Sequence, residues 1–123
     1  MSGTKILIVE DEPHIAESLS FILRRAEFEV DLVTDGAEAL ARLRRELYAA
    51  IILDIMLPGM NGLEVLKTIR SDTQLGELPV IVLTAKGQAN DRKSAEAIGA
   101  SAFITKPYSN AEVVERIREL VGT

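Results

Sequence analysis

The strongest constraint in this sequence is a rhythm of five short apolar runs, Ile6–Val9, Val30–Val33, Ala49–Leu53, Val80–Leu83 and Ala102–Thr105, separated by segments of helical period. The first, third and fourth runs are continuously apolar, the pattern of strands covered on both faces, whereas the second alternates and suits a sheet edge. Strands that alternate with helices need crossover connections, so the sheet is parallel. Right-handed crossovers with helices on both faces leave a doubly wound α/β sandwich as the economical architecture.

The helical segments carry their own signals. Ile15, Leu19, Ile22 and Leu23 form one apolar stripe, and Val113, Val114, Ile117, Leu120 and Val121 form another. Asp35, Asn61 and Ser109 each stand three positions before a Glu, which marks helix starts, and Pro13 suits a first helical turn. The segment from about 90 to 98 offers mainly Ala95, Ala97 and Ile98 to a core, so the fourth helix is expected to be less firmly docked and more mobile than the others. There is no repeat, low-complexity tract or linker, and residues 1–123 are expected to form one domain with nothing appended.

Composition excludes several classes. With 123 residues, 47% of them hydrophobic, the chain can bury an independent core. The absence of cysteine removes disulfide frameworks and thiolate metal sites. A formal charge of −5 disfavours direct contact with nucleic-acid phosphates. No apolar run approaches the ~20 residues that span a bilayer, and no leader precedes the first strand, so a cytoplasmic protein without membrane contact is expected.

In a doubly wound sheet, ligands bind beyond the carboxyl ends of the strands. There the sequence places Glu10, Asp11 and Glu12 after the first run, Asp54 after the third, Thr84 after the fourth and Lys106 after the fifth. Each is ordinary alone: Asp54 as a turn or cap residue, the acidic run as a solvated loop favouring a helix N-terminus, Thr84 as a strand end, Lys106 as surface. Together they fit one chemistry. If the first and third strands are neighbours, as in the order 2-1-3-4-5, Asp11 and Asp54 face each other beside Glu10, and such carboxylates repel unless a cation is bound. Oxygen ligands with neither Cys nor a second histidine describe Mg²⁺ rather than zinc. Thr84 and Lys106 offer a hydroxyl and a point charge to phosphoryl oxygens, and a carboxylate in that company can form an aspartyl phosphate.

Glu10-Asp11 after an apolar strand, the stretch from Asp54 to Gly62, Leu83-Thr84-Ala85 and Phe103-Ile104-Thr105-Lys106-Pro107 resemble the receiver domain of bacterial two-component response regulators, of the stand-alone type, over essentially the whole chain. The resemblance implies a flavodoxin-like fold and a phosphoryl group accepted by Asp54 from a histidine kinase or histidine phosphotransfer protein. It also implies Mg²⁺ held by Asp11, Asp54 and the carbonyl of Met56, with Glu10 reaching it through water. Lys106 would pair with the phosphoryl group, Thr84 would hydrogen-bond to it, and Ala85 would be the small residue beside it. Phe103 would be the aromatic that moves inward with Thr84, and Lys106-Pro107 a cis peptide. The fourth helix, fifth strand and fifth helix would form the output face for a downstream protein target, in a monomer or a weak phosphorylation-dependent dimer.

Two departures from the family pattern stand out. Receivers joined to winged-helix DNA-binding domains usually read Gly-Ala-Asp-Asp before the aromatic, and here the run is Gly99-Ala100-Ser101-Ala102. Both acids are absent, which removes the partners that Arg116 would need for their mode of dimerisation. Met56 and Lys86 occupy the positions that flank the attacking water, where an apolar and a cationic side chain favour a long-lived aspartyl phosphate.

Other classes fit less well. A haloacid-dehalogenase-type phosphatase needs a second Asp where Met56 stands, and a nucleotide site wants glycines where Val9–Pro13 has acids. His14 reads as a surface residue of a first helical turn. The alternative that remains is a phosphorylation-independent interaction adaptor of the same fold.

Overall fold

The computed structural model describes residues 4–57, 60–85 and 89–122. Lys86 lies outside them, as do Pro58 and Gly59. The elements alternate throughout: β1 (Lys5–Val9), α1 (Pro13–Arg25), β2 (Glu29–Val33), α2 (Gly36–Arg45), β3 (Ala50–Asp54), α3 (Gly62–Ser71), β4 (Val80–Ala85), α4 (Ala89–Ile98), β5 (Ala102–Lys106) and α5 (Asn110–Val121). The five strands form one parallel sheet in the expected order β2-β1-β3-β4-β5, the flavodoxin-like arrangement.

The side-chain alternation of the strands divides the core into two layers. Leu7, Val9, Ile51, Leu53, Val80 and Val82 face one side, where α2, α3 and Ala95 of α4 cover them. Ile6, Ile8, Ala50, Ile52, Ile81, Leu83 and Ile104 face the other, under α1 and α5. Strand β2 buries only Val30 and Val33, as an edge strand does.

Helix starts follow the expected caps. The side chains of Asp35, Asn61 and Ser109 accept the amides of Glu38, Glu64 and Glu112 at 2.8, 3.1 and 3.1 Å. Pro13 is the first residue of α1, and Glu12 caps that helix by accepting the Ile15 amide at 3.0 Å. Helix α4 buries Ala95 alone.

Strand ends reach further than the apolar runs predict. β3 includes Asp54 and β4 includes Thr84 and Ala85, because a parallel ladder pairs backbone groups whatever the side chain is. Asp54 thus pairs with Leu83, Thr84 with Thr105 and Ala85 with Lys106. The polar residues are fixed by the sheet itself rather than hung on the loops after it.

Candidate functional site

At the carboxyl edge of the sheet, Glu10, Asp54 and Thr84 are all buried, at 2, 3 and 2% exposure, while Asp11 is open to solvent. The Lys106 ammonium donates to Asp54 Oδ2 at 2.9 Å and stands 3.6 Å from Glu10 Oε1. The second Asp54 oxygen, Oδ1, accepts the Met56 amide at 2.8 Å, so both oxygens are held. Glu10 Oε2 accepts the Glu12 amide at 3.1 Å. Its other oxygen, Oε1, is buried without a hydrogen-bond partner among the described residues.

The acidic run after β1 therefore splits into separate tasks: Glu10 turns into the interior, Asp11 faces solvent beside it, and Glu12 caps α1. Burial, then the neighbouring Asp54, pushes the Glu10 carboxyl up to about 7. For Lys106, burial alone would lower the pKa; the Asp54 hydrogen bond and the charges of Asp54 and Glu10 outweigh it and hold the ammonium above its ordinary value. Among the described residues, Lys106 is the cation paired with Asp54 and Glu10, and Asp11 adds a third carboxylate beside them.

Oxygens of Glu10, Asp11 and Asp54 lie within 4.8 Å of one another. That spacing lets one cation serve all three, directly or through water, and Glu10 Oε1, ion-paired with Lys106 at 3.6 Å but without a hydrogen bond among the described residues, supplies a buried acceptor. The donor set is entirely oxygen, which suits a hard divalent ion. The residues present fit Mg²⁺.

The remaining predicted residues surround this centre. Thr84 Oγ1 lies 3.5 Å from Thr105 Oγ1. Ala85 is exposed at the end of β4, beside Lys106 in the ladder. The Lys106–Pro107 peptide is cis. Met56 joins the site through its backbone, and its side chain is 63% exposed. Phe103 lies one strand position from Ile104, half-buried, with the Arg92 guanidinium of α4 4.6 Å from its ring centroid.

Two contributors escaped the sequence reading. Gly62 was legible as part of a helix start and as the end of the family-like stretch from Asp54, without a role of its own, yet a Cβ there would run into the Asp54 carbonyl oxygen and come within 2.7 Å of the Ile55 Cα. Only glycine lets α3 approach the strand that carries Asp54 so closely; the available signal was a poor helix former placed directly after a good cap. Arg70 is the other. From the last turn of α3 it donates to the carbonyls of Gly76, Leu78 and Gly99 at 3.2, 2.7 and 2.8 Å and to the Ser101 hydroxyl at 3.2 Å. Ser101, standing where the family's first acid is absent, also accepts the Val80 amide at 3.0 Å. Arg116 pairs with Glu119, one turn along its own helix, at 2.9 Å.

The family model for the response regulator receiver domain matches residues 6–118. The chain belongs to the response regulator receiver family. Among curated relatives, this receiver is 42% identical over 118 residues to the sensory transduction protein RegX3 of Mycobacterium tuberculosis, covering 96% of the chain and 51% of RegX3. It is 38% identical over 117 residues to the phosphate regulon transcriptional regulatory protein PhoB of Rhizobium meliloti, covering 95% of the chain and 52% of PhoB. The receiver thus spans about half the length of these relatives. Among solved structures it superposes with a TM-score of 0.91 and 31% identity on the receiver domain of the sensor histidine kinase PA1611 of Pseudomonas aeruginosa, covering 98% of this chain and 99% of that one. That domain was crystallised with a magnesium ion in its active-site cleft. Among the described residues, no helix is long and apolar enough to cross a membrane.

Proposed function

We propose that this receiver is a phosphorylation-controlled switch in which Asp54 accepts a phosphoryl group from the phosphohistidine of a kinase or phosphotransfer protein. One observation carries the reading: a buried aspartate at a strand end, fixed at both oxygens, shares an ammonium with a second buried acid whose Oε1 is left without a hydrogen bond.

An Asp54 oxygen forms the new O–P bond as the donor's N–P bond breaks, and the electron pair leaves with the histidine nitrogen, so the incoming charge stays at Asp54. Asp11, Asp54 and the Met56 carbonyl would hold Mg²⁺, with Glu10 reaching it through water, and the ion would neutralise charge on the transferring phosphoryl oxygens. Lys106 stands where it can trade its Asp54 contact for one to the phosphoryl group. Thr84 supplies a hydroxyl from the adjacent strand, and Ala85 leaves room. The chain's own contribution is position and electrostatics, while the donor provides the activated group.

Phosphorylation adds roughly −1.5 to −2 charges at one point. Thr84 and Lys106 move toward it and Phe103 shifts inward, which biases α4, the helix least anchored to the core. The readout surface would be α4, β5 and α5, presented in the cytoplasm to a protein target and not to nucleic acid or membrane. Met56 and Lys86 would lengthen the life of the phosphoaspartate.

Intact mass after incubation with acetyl phosphate tests this. A gain of one phosphoryl group that needs Mg²⁺ and vanishes in Asp54→Asn is expected. No gain in the native chain, with Mg²⁺ shown to bind, would leave the interaction adaptor as the better reading.

A further inference from the structure

Thr84 is buried, so its hydroxyl needs a partner from the protein. Among the described residues that partner is the hydroxyl of Thr105, 3.5 Å away, and either of the two can donate. The sheet itself sets them side by side. Thr84 and Thr105 are register partners on β4 and β5. Each follows a residue of the layer under α1 and α5, Leu83 and Ile104, so both turn to the opposite face, which α3 and α4 cover. Phe103 lies on that face too, two places before Thr105. A contact of this length stands at the outer limit of a hydrogen bond, and a small displacement breaks it.

The strand order turns this contact into a choice. β4 lies between β3 and β5, so Asp54 stands on one side of Thr84 and Thr105 on the other. A phosphoryl group on Asp54 would draw the Thr84 hydroxyl toward β3. That movement opens a contact already stretched to 3.5 Å, while the backbone of Thr105 stays paired in the ladder. The hydroxyl then exchanges a neutral partner for an anionic one, and hydrogen bonds to an ionised group are roughly twice as strong. The two partners of Thr84 exclude each other.

We infer that Thr105 is a positioning residue of the switch: its hydroxyl holds Thr84 in the resting arrangement and so opposes the phosphorylated one. This role rests on Asp54 being the phosphoryl acceptor. Removing the Thr105 hydroxyl weakens the resting state alone, since only that state contains the contact. A neutral hydrogen bond shifts such an equilibrium by about three- to ten-fold, and while the resting state predominates the affinity for a phosphoryl mimic rises by the same factor.

Titration with beryllium fluoride, a mimic of the phosphoryl group on a carboxylate, tests this at saturating Mg²⁺, followed by fluorine NMR. Thr105→Val keeps the branched shape at a half-buried strand end, so the fold tolerates it. It is expected to bind the mimic about three- to ten-fold more tightly than the native chain. Thr105→Ser restores the hydroxyl and should bind within about two-fold of native. On a Thr84→Val background, Thr105→Val should change the affinity by less than about two-fold, because the contact is already gone. With neither mimic nor Mg²⁺ present, the Thr84 methyl resonance in Thr105→Val should move toward its position in the beryllium-bound native chain, a shift that a purely structural role would not produce. Thr105→Val binding no tighter than native overturns the inference, as does a gain that persists on the Thr84→Val background. A native chain that binds Mg²⁺ but no beryllium fluoride overturns the Asp54 reading, and the role of Thr105 with it.

Discussion

Helices α1 and α4 cover the same sheet in opposite ways. α1 buries Ala16, Leu19, Ser20, Ile22 and Leu23, and α4 buries Ala95 alone. The strands differ in parallel: every residue of β3 is buried, whereas in β5 only Ile104 is. Asp54 therefore stands on the most deeply packed element of the molecule, while Lys106 and Phe103 belong to an edge strand beside the most lightly packed helix. A receiver needs this asymmetry. On the proposed function, the phosphoryl acceptor would hold still for in-line attack while the element that reports its state would have little apolar contact to give up.

The largest effect should come from breaking the well-packed side. Leu19→Ala is expected to lower unfolding free energy by about 2–5 kcal/mol, and Ala95→Gly by only about 1–2 kcal/mol, both read by urea denaturation. Equal losses would mean that α4 is as firmly docked as α1.

Arg70 sharpens the comparison, because it ties α4 at one end only. Its bonds to Gly99 and Ser101 lie before β5, at the end of the sheet away from Asp54. Near the site, α4 touches the sheet through Arg92 over Phe103. Arg70→Ala leaves carbonyls of three residues without their donor and should cost about 2–3 kcal/mol. Hydrogen exchange should show α4 amides losing protection while those of α1 keep theirs. Uniform loss across both helices would place Arg70 in global stability instead.

Electrostatic crowding on the rigid side gives a smaller effect of opposite sign. Asp11→Asn removes one of three clustered carboxylates, so without Mg²⁺ the melting temperature should rise, and the further rise on adding Mg²⁺ should be lost. A native chain whose melting temperature ignores Mg²⁺ would contradict the proposed metal site.

The smallest effects lie at the helix ends and surface. Glu27, between α1 and β2, has φ of 74°, where a side chain is strained, so Glu27→Gly should stabilise by up to about 1 kcal/mol. Arg92→Ala should cost no more than about 0.5–1 kcal/mol in stability. It should nonetheless change the NMR shifts of the Phe103 ring, and an unchanged ring would remove Arg92 as its partner.

The fold was legible because its signals are local. Runs such as Ile51–Leu53 can be satisfied only between two helical layers, and Asp35, Asn61 and Ser109 declare helix starts through hydrogen bonds that span three residues. The candidate site was legible as a set of residue types at strand ends, and the topology brings Glu10, Asp11, Asp54 and Lys106 together there. What stayed hidden depends on distance between elements. Pro13 marks Glu12 as a cap position, but nothing local says that Glu10 is buried. Nothing in the last turn of α3 foretells that Arg70 reaches a loop 29 residues away.

The sequence by itself determined the order of elements, the two-sided burial of the central strands and the chemical character of the carboxyl edge, since periodicity and capping act within a few residues. Only the tertiary structure decided which acid turns inward, why residue 62 must be glycine and how α4 is tethered at one end. Those outcomes follow from close approach between segments distant in the chain, where burial and charge depend on neighbours that no local pattern names.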